Sequence, residues 1–396
     1  MNDESWLVVQ LWVGYLLLAK LVLVLPWPAI RSPFFALVNL VAAYRLYYLG
    51  KFENKAFVAY VALVIVYLLT LRWLAHFRPS WLSWCGWLPV LALVVFKAWP
   101  VQGIEFPIYW VGFSYMAFRL SAISIEIANG QARLPNLAEG LGFAFFLPTL
   151  VVGPISPLAN HQSGLSQGNV TLSDLGWALF RILIGVVKLN FLGAIALQFT
   201  FGVLWMDGNQ HGLGDFVISS VGYYFYIYLN FSGIIDVAIG CSALLGIPVL
   251  ENFDRPFSAR NLKQFWSRWH ISLTRYAQIM VYDPASRFLL RRFPGRVHLV
   301  TAIVSFVVFV LIGVWHGNSW NYLLFGLYHA LGIVWLTYFG KFLKDRFGRS
   351  LLQVLNHPLV TAISITLTFF YVSFGYFLFE NDLTRIIMIL DMLFSA

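Results

Sequence analysis

Two histidines stand in apolar, tryptophan-bearing sequence, one in Arg268-Trp269-His270-Ile271-Ser272-Leu273 and the other in Gly313-Val314-Trp315-His316-Gly317. An ionisable side chain at membrane depth is costly and tends to mark function, and imidazole is the side chain that takes and returns a proton near neutral pH. Two such groups, each beside a tryptophan, suggest a reactive centre in a water-poor site. Gly317, beside His316, would let a substrate chain approach the backbone closely. The competing interpretation makes each histidine a core residue hydrogen-bonded to a carbonyl.

The solvent around these residues follows from composition. Of 396 residues 60% are hydrophobic and only 11% charged, against about 25% charged in a soluble domain, and the mean hydropathy is +0.76. A bilayer span needs about 20 mostly apolar residues. Candidate spans run over residues 6–25, 34–49, 56–75, 85–99, 107–127, 140–155, 175–201, 216–247, 297–314, 322–339 and 358–378. The expected fold is therefore an all-α polytopic membrane protein of about 11 transmembrane helices, with some short stretches re-entrant or interfacial. Asn2, Asp3 and Glu4 precede the first apolar run without a basic n-region, so Trp6 onward is expected to be a retained helix. No composition shift or repeat divides the chain, and residues 1–396 are expected to form a single membrane domain. Residues 156–174 and 206–215 are polar and are expected to be aqueous loops.

The net charge of +9 comes from basic residues in short connections, such as Arg287, Arg291, Arg292 and Arg296, then Lys341, Lys344, Arg346 and Arg349. This distribution points to the cytoplasmic face and its anionic lipids, and excludes nucleic acid as the partner. Residues 258–270 have the pattern of a basic amphipathic helix at the interface, with Phe265, Trp266, Trp269 and Leu273 on one apolar face. Asp236 and Glu126 are acids inside apolar spans, expected to pair with a buried cation such as Arg119 or Lys188 or to shape an acceptor path. His329 is expected to pack within a helix, with a tunnel wall as the alternative. His76, His161, His211, His298 and His357 lie near polar or basic sequence and are expected to be solvated. Cys85 and Cys241 sit in apolar surroundings and suggest no disulfide framework, and no His or carboxylate spacing suggests a metal.

Several ordered blocks carry a family resemblance. Gly112-Phe113-Ser114-Tyr115-Met116-Ala117-Phe118-Arg119, then Phe146-Leu147-Pro148-Thr149 with Gly153-Pro154-Ile155, then Asn252-Phe253 with Arg255-Pro256-Phe257, then residues 265–273 and Trp315-His316-Gly317 resemble the signature blocks of the membrane-bound O-acyltransferases. The resemblance covers a core of about residues 107–340. It implies a funnel of helices around a central tunnel, with His316 as catalytic base and His270 as second polar group. Trp315, Gly317, Trp269, Ser272, Asn230, Asp236 and His329 are then candidate substrate or tunnel positions. The bacterial members act in D-alanylation of teichoic acids and in alginate O-acetylation. A D-alanyl or acetyl group would thus pass to a hydroxyl of an envelope polymer or glycan, in a multi-pass protein of the bacterial cytoplasmic membrane.

The resemblance further implies no bound cofactor and a thioester donor as substrate, carried on the phosphopantetheine of an acyl carrier protein or as acyl-CoA. The donor would dock on the basic stretch 259–268 and on Arg287, Arg291, Arg292 and Arg296, where membrane anchoring is the alternative. Membrane lipids and an extracytoplasmic acyltransferase- or esterase-like protein are the other implied partners. Three departures neutralise charge: Asn230 stands where members commonly carry Asp, Gln278-Ile279 where Arg-Asp is usual, and Ser156-Pro157 where Asp-Arg is usual. A transporter would instead show paired broken helices in two halves, which the sequence lacks, and a catalytically silent scaffold would survive loss of His316.

Overall fold

The computed structural model describes residues 3–50, 54–98, 112–167, 170–205, 211–317, 319–348 and 351–394. They are helical throughout, apart from turns and one isolated antiparallel bridge between Phe253 and Trp269. Seven helical stretches among them are long and apolar enough to cross a bilayer: Trp6–Leu23, Asn54–Phe77, Leu172–Leu197, Leu213–Leu244, Val297–His316, Trp320–Phe347 and Pro358–Glu380. Their outward faces are apolar, and Leu17, Val58, Leu183, Leu331 and Leu367 are each exposed by 60% or more. So much apolar surface would associate in water and is satisfied by lipid. This is a multi-pass membrane protein.

Differences from the expected spans have local causes. Residues 140–155 do not form one helix: Leu137–Ala144 stops, and a 3-10 turn containing Pro148 follows at Leu147–Thr149, with residues 139–150 buried in protein. The span expected from residue 107 begins in the structure at Phe113, residues 107–111 lying outside the described residues. The Pro28–Leu49 and Trp87–Ala98 helices lie where spans were expected at 34–49 and 85–99, but neither is among those seven, and residue 99 lies outside the described residues.

The chain divides into two compact units, Met1–Val186 with Ile234–Glu251, and Val187–Gly233 with Asn252–Ala396. In the first unit, buried polar groups tie the helices together. Asn39, fully buried, accepts hydrogen bonds from Tyr15 Oη and the Leu147 N–H at 3.0 Å each and donates to the Phe35 carbonyl at 2.8 Å. Arg119, also buried, donates to the carbonyls of Phe143 and Thr149. Arg181 bridges Asp236 at 2.6 Å and Glu251 at 2.7 Å. Asp236 thus takes Arg181 as its cation, in place of the expected Arg119 or Lys188.

In the second unit, Val297–His316 and Trp320–Phe347 form an antiparallel hairpin whose backbones nearly touch. A Cβ at Gly313 would lie 2.5 Å from the Tyr322 carbonyl oxygen, and one at Gly326 would lie 2.6 Å from that of Phe309. Only glycine permits this approach. Pro358–Glu380 packs onto the hairpin through Tyr328 and Tyr371, stacked at 4.2 Å, each hydroxyl donating to the other's carbonyl at 3.0 and 2.7 Å. Gly326→Ala should push the hairpin apart, at a cost of about 1–3 kcal/mol. The thermal midpoint in detergent should fall relative to Gly340→Ala, where no atom lies within 4 Å of the added methyl, and equal midpoints would contradict the close crossing.

Candidate active site

His316 is the last residue of its helix, and Gly317 follows in extended conformation, φ 174° and ψ 177°. The imidazole, half-buried, lies among rings: Trp315 at 4.6 Å, Phe379 edge-on at 4.9 Å, Phe325 edge-on at 6.0 Å and Tyr322 stacked at 6.1 Å. A Cβ on Gly317 would meet the Tyr322 ring at 2.6 Å. The missing side chain therefore makes room for Tyr322, the space the sequence had assigned to a substrate. Asn321 fixes the same corner by donating to the Phe379 carbonyl at 2.8 Å.

His270 is built differently. The expected amphipathic helix over 258–270 is reduced to a 3-10 turn at Pro256–Ser258 and a five-residue helix, Leu262–Trp266, capped by the Asn261 side chain. Its apolar face is not interfacial. Phe265, Trp266, Trp269 and Leu273 are all buried by protein, because Tyr224, Tyr376 and Phe325 supply aromatic partners that lipid would otherwise replace. The chain then turns at His270, which has φ +48° and ψ +51°. The left-handed region is unfavourable for a residue with a Cβ and persists where neighbours over-determine it. Beyond the turn the Ile271–Ala277 helix begins, with the Ser272 N–H donating to Asn252 Oδ1 at 2.9 Å.

The His270 ring is buried and faces Phe231 edge-on at 4.7 Å, and its Nδ1 finds no hydrogen-bond partner among the described residues. Burial lowers its pKa to about 3, and the charge of His316 contributes in the same direction. The two imidazoles belong to one unit.

The other expected positions fall in several places. Trp269 is buried and stacked on Phe265 at 5.5 Å. His329 is fully buried among Trp266, Phe325 and Tyr371, with neither nitrogen hydrogen-bonded among the described residues. Asn230 donates to the Tyr226 carbonyl at 2.9 Å and lies against Gly193. Asp236 lies in the other unit, held by Arg181. Arg287, Arg291 and Arg292 are exposed on a helix, Asp283–Arg292, where a loop was expected, and exposed Arg296 follows it. No group of three His, Cys, Asp or Glu among the described residues is arranged to hold a metal ion. His161 is not solvated: its ring is enclosed by Phe35, Phe143 and Phe146, and burial lowers its pKa to about 3, with Arg119 adding to the effect.

The family model of MBOAT, membrane-bound O-acyltransferase family, matches residues 32–379. This chain belongs to that family. Among curated relatives, the teichoic acid D-alanyltransferase of Streptococcus thermophilus is 29% identical over 315 residues, covering 75% of each chain. That of Bacillus subtilis is 29% identical over 311 residues, covering 74% of this chain and 75% of the relative. The probable alginate O-acetylase AlgI of Pseudomonas putida is 25% identical over 231 residues, or 57% of this chain and 45% of the relative. This MBOAT protein is an acyltransferase, and its histidine pair is the candidate machinery.

Sequence reasoning missed two residues at these sites. Arg181 gave no signal, since its acids lie far away in sequence. Asn252 was visible as part of a motif but not as the partner of Ser272. The buried His270 also sets a pH dependence. Its folded pKa lies below the ordinary value of 6.5, so above about pH 6.5 both folded and unfolded states are neutral and no penalty arises. Below that, the unfolded chain binds a proton the folded one refuses, and stability falls until about pH 3. Between pH 7.5 and 5 the thermal midpoint of His270→Gln should fall less than that of the wild type, and equal falls would show that His270 carries no such penalty.

Proposed function

We propose that this acyltransferase moves a D-alanyl group from a thioester on the cytoplasmic side of a bacterial cytoplasmic membrane to a hydroxyl of an envelope polymer. The similarity to two teichoic acid D-alanyltransferases over about three quarters of each chain supports that acyl group and acceptor. The observation that carries the chemistry is the placement of both histidines in one unit, His316 at a helix end among Phe325 and Phe379 and His270 buried in a turn against Phe231.

His316 takes the proton of the acceptor hydroxyl as its oxygen attacks the thioester carbonyl. The C–O bond forms, the carbonyl oxygen bears the negative charge, and His270, kept neutral, is the polar group that turns toward it. Collapse breaks the C–S bond, and the proton on His316 passes to the leaving sulfur, so thioester and alcohol become ester and thiol. While protonated, His316 lies at the C-terminal end of its helix, where the helix dipole favours a cation. The surrounding rings of Trp315, Phe325 and Phe379 keep water from competing with the acceptor.

The donor side is assigned from charge. Arg287, Arg291, Arg292 and Arg296 precede one helix of the antiparallel hairpin, and Lys341, Lys344 and Arg346 end the other. Both groups therefore lie at the same end, which the positive-inside bias makes cytoplasmic. The exposed arginines and an exposed Phe288 suit a phosphopantetheine donor, whether on an acidic carrier protein or on CoA.

Replacing His316 by Ala should reduce transfer of labelled D-alanine to below about a tenth of wild type at matched membrane abundance, since no other base serves a dry site. Activity retained above that level would exclude His316 as the base, and labelling by acetyl donors alone would replace D-alanyl by acetyl. Reversing charge at Arg287 and Arg291 together should slow donor association and remove part of its salt sensitivity. An unchanged, salt-insensitive affinity would assign these charges to the lipid surface.

A further inference from the structure

The geometry points to Asn252 as the positioning residue of the His270 turn, holding the imidazole where acyl transfer uses it; this rests on the role given to His270 above. A helix leaves its first N–H groups without intrahelical acceptors, and the residue before it usually supplies one from a short polar side chain. His270 occupies that place in a left-handed conformation and gives no capping bond. The acceptors come instead from Asn252. Its carbonyl accepts the Ile271 N–H at 3.0 Å, and its side-chain Oδ1 accepts the Ser272 N–H at 2.9 Å.

On the other side of the turn, the Asp254 N–H donates to the Arg268 carbonyl at 3.0 Å, and Phe253 pairs with Trp269 as an antiparallel bridge with their rings edge-on at 5.0 Å. His270 is thus pinned from before and after by one three-residue segment. Asn252 and Ser272 are both buried, so bulk solvent does not reach the Ser272 N–H and losing its acceptor is costly. The backbone bond from Asn252 survives any substitution there, and only the Oδ1 bond is removable. Removing it should free the His270 backbone to rotate without dismantling the segment. Asn252 Nδ2, by contrast, has no acceptor among the described residues, so a role as direct donor to substrate is the rival that the test must separate.

The test is a double-mutant cycle in membranes, with D-alanine transferred from a labelled carrier-protein thioester and rates expressed per molecule of folded enzyme. Asn252→Ala should lower the turnover number by about tenfold to a hundredfold with little change in KM. In a His270→Ala background, the same substitution should change nothing further, because its effect runs through the lost imidazole. Asn252→Asp keeps an oxygen for the Ser272 N–H while removing the NH2 group, and should recover most of the turnover. Independent, multiplicative losses, or an Asp variant as slow as the Ala variant, overturn the proposal. Loss of Asn252→Ala protein from the membrane with full turnover in the remainder also overturns it, since the role is then purely structural. Full turnover in His270→Ala alone would instead remove the role given to His270 itself, an outcome distinct from any failure confined to Asn252.

Discussion

A peptide group that leaves a helix inside hydrocarbon has no water to bond, so irregular backbone at that depth must be met by partners from the protein. The same requirement holds for backbone buried in protein, and each unit meets it where a helix breaks. In the first, the broken stretch after Leu137–Ala144 is served by Asn39, which accepts the Leu147 N–H, and by Arg119, which donates to the Phe143 and Thr149 carbonyls. In the second, the turn at His270 is served by Asn252. Each of these polar residues is buried, and each works on backbone rather than on another charge. The departures from regular helix are thereby confined to places where a side chain from elsewhere in the chain closes the hydrogen-bond account.

The chemistry of the candidate site depends on the same confinement. A histidine in a regular helix projects from a fixed ladder, as His316 does at the end of Val297–His316. A histidine in a left-handed turn is oriented by whatever holds the turn, and His270 is oriented from Asn252 to Asp254. One imidazole is therefore partly open among aromatic rings and the other buried and neutral. That asymmetry suits a base and a hydrogen-bonding group better than it suits two bases.

What the sequence made legible was what local pattern can carry. Apolar runs located most of the spans, and histidines next to tryptophan marked the candidate groups. Partners separated by long stretches of chain were not legible: nothing in the runs around Asp236 names Arg181 as its cation, and His161 looks solvated until Phe35, Phe143 and Phe146 enclose it. The pattern over residues 258–270 misled because an apolar face at helical spacing fits interfacial lipid and a protein core equally well, and here the core supplies the rings. The neutral departures from family pattern became interpretable only in three dimensions. Ser156 accepts the Leu250 N–H at 2.9 Å, and Asn230 donates to the Tyr226 carbonyl, tasks that need no charge.

The stretch from Ile271 to Arg292 holds an α-helix, a π-helical segment at Gln278–Tyr282 and a second α-helix. A π turn carries one residue more than the α turn it replaces. Deleting a single residue there would let the segment close into continuous α-helix and rotate everything after it by about 100° relative to His270. The angular phase between the histidine turn and the face bearing Arg287 and Arg291 is therefore set by residue count, and an insertion or deletion of one would swing that face around the helix while leaving every charge in place.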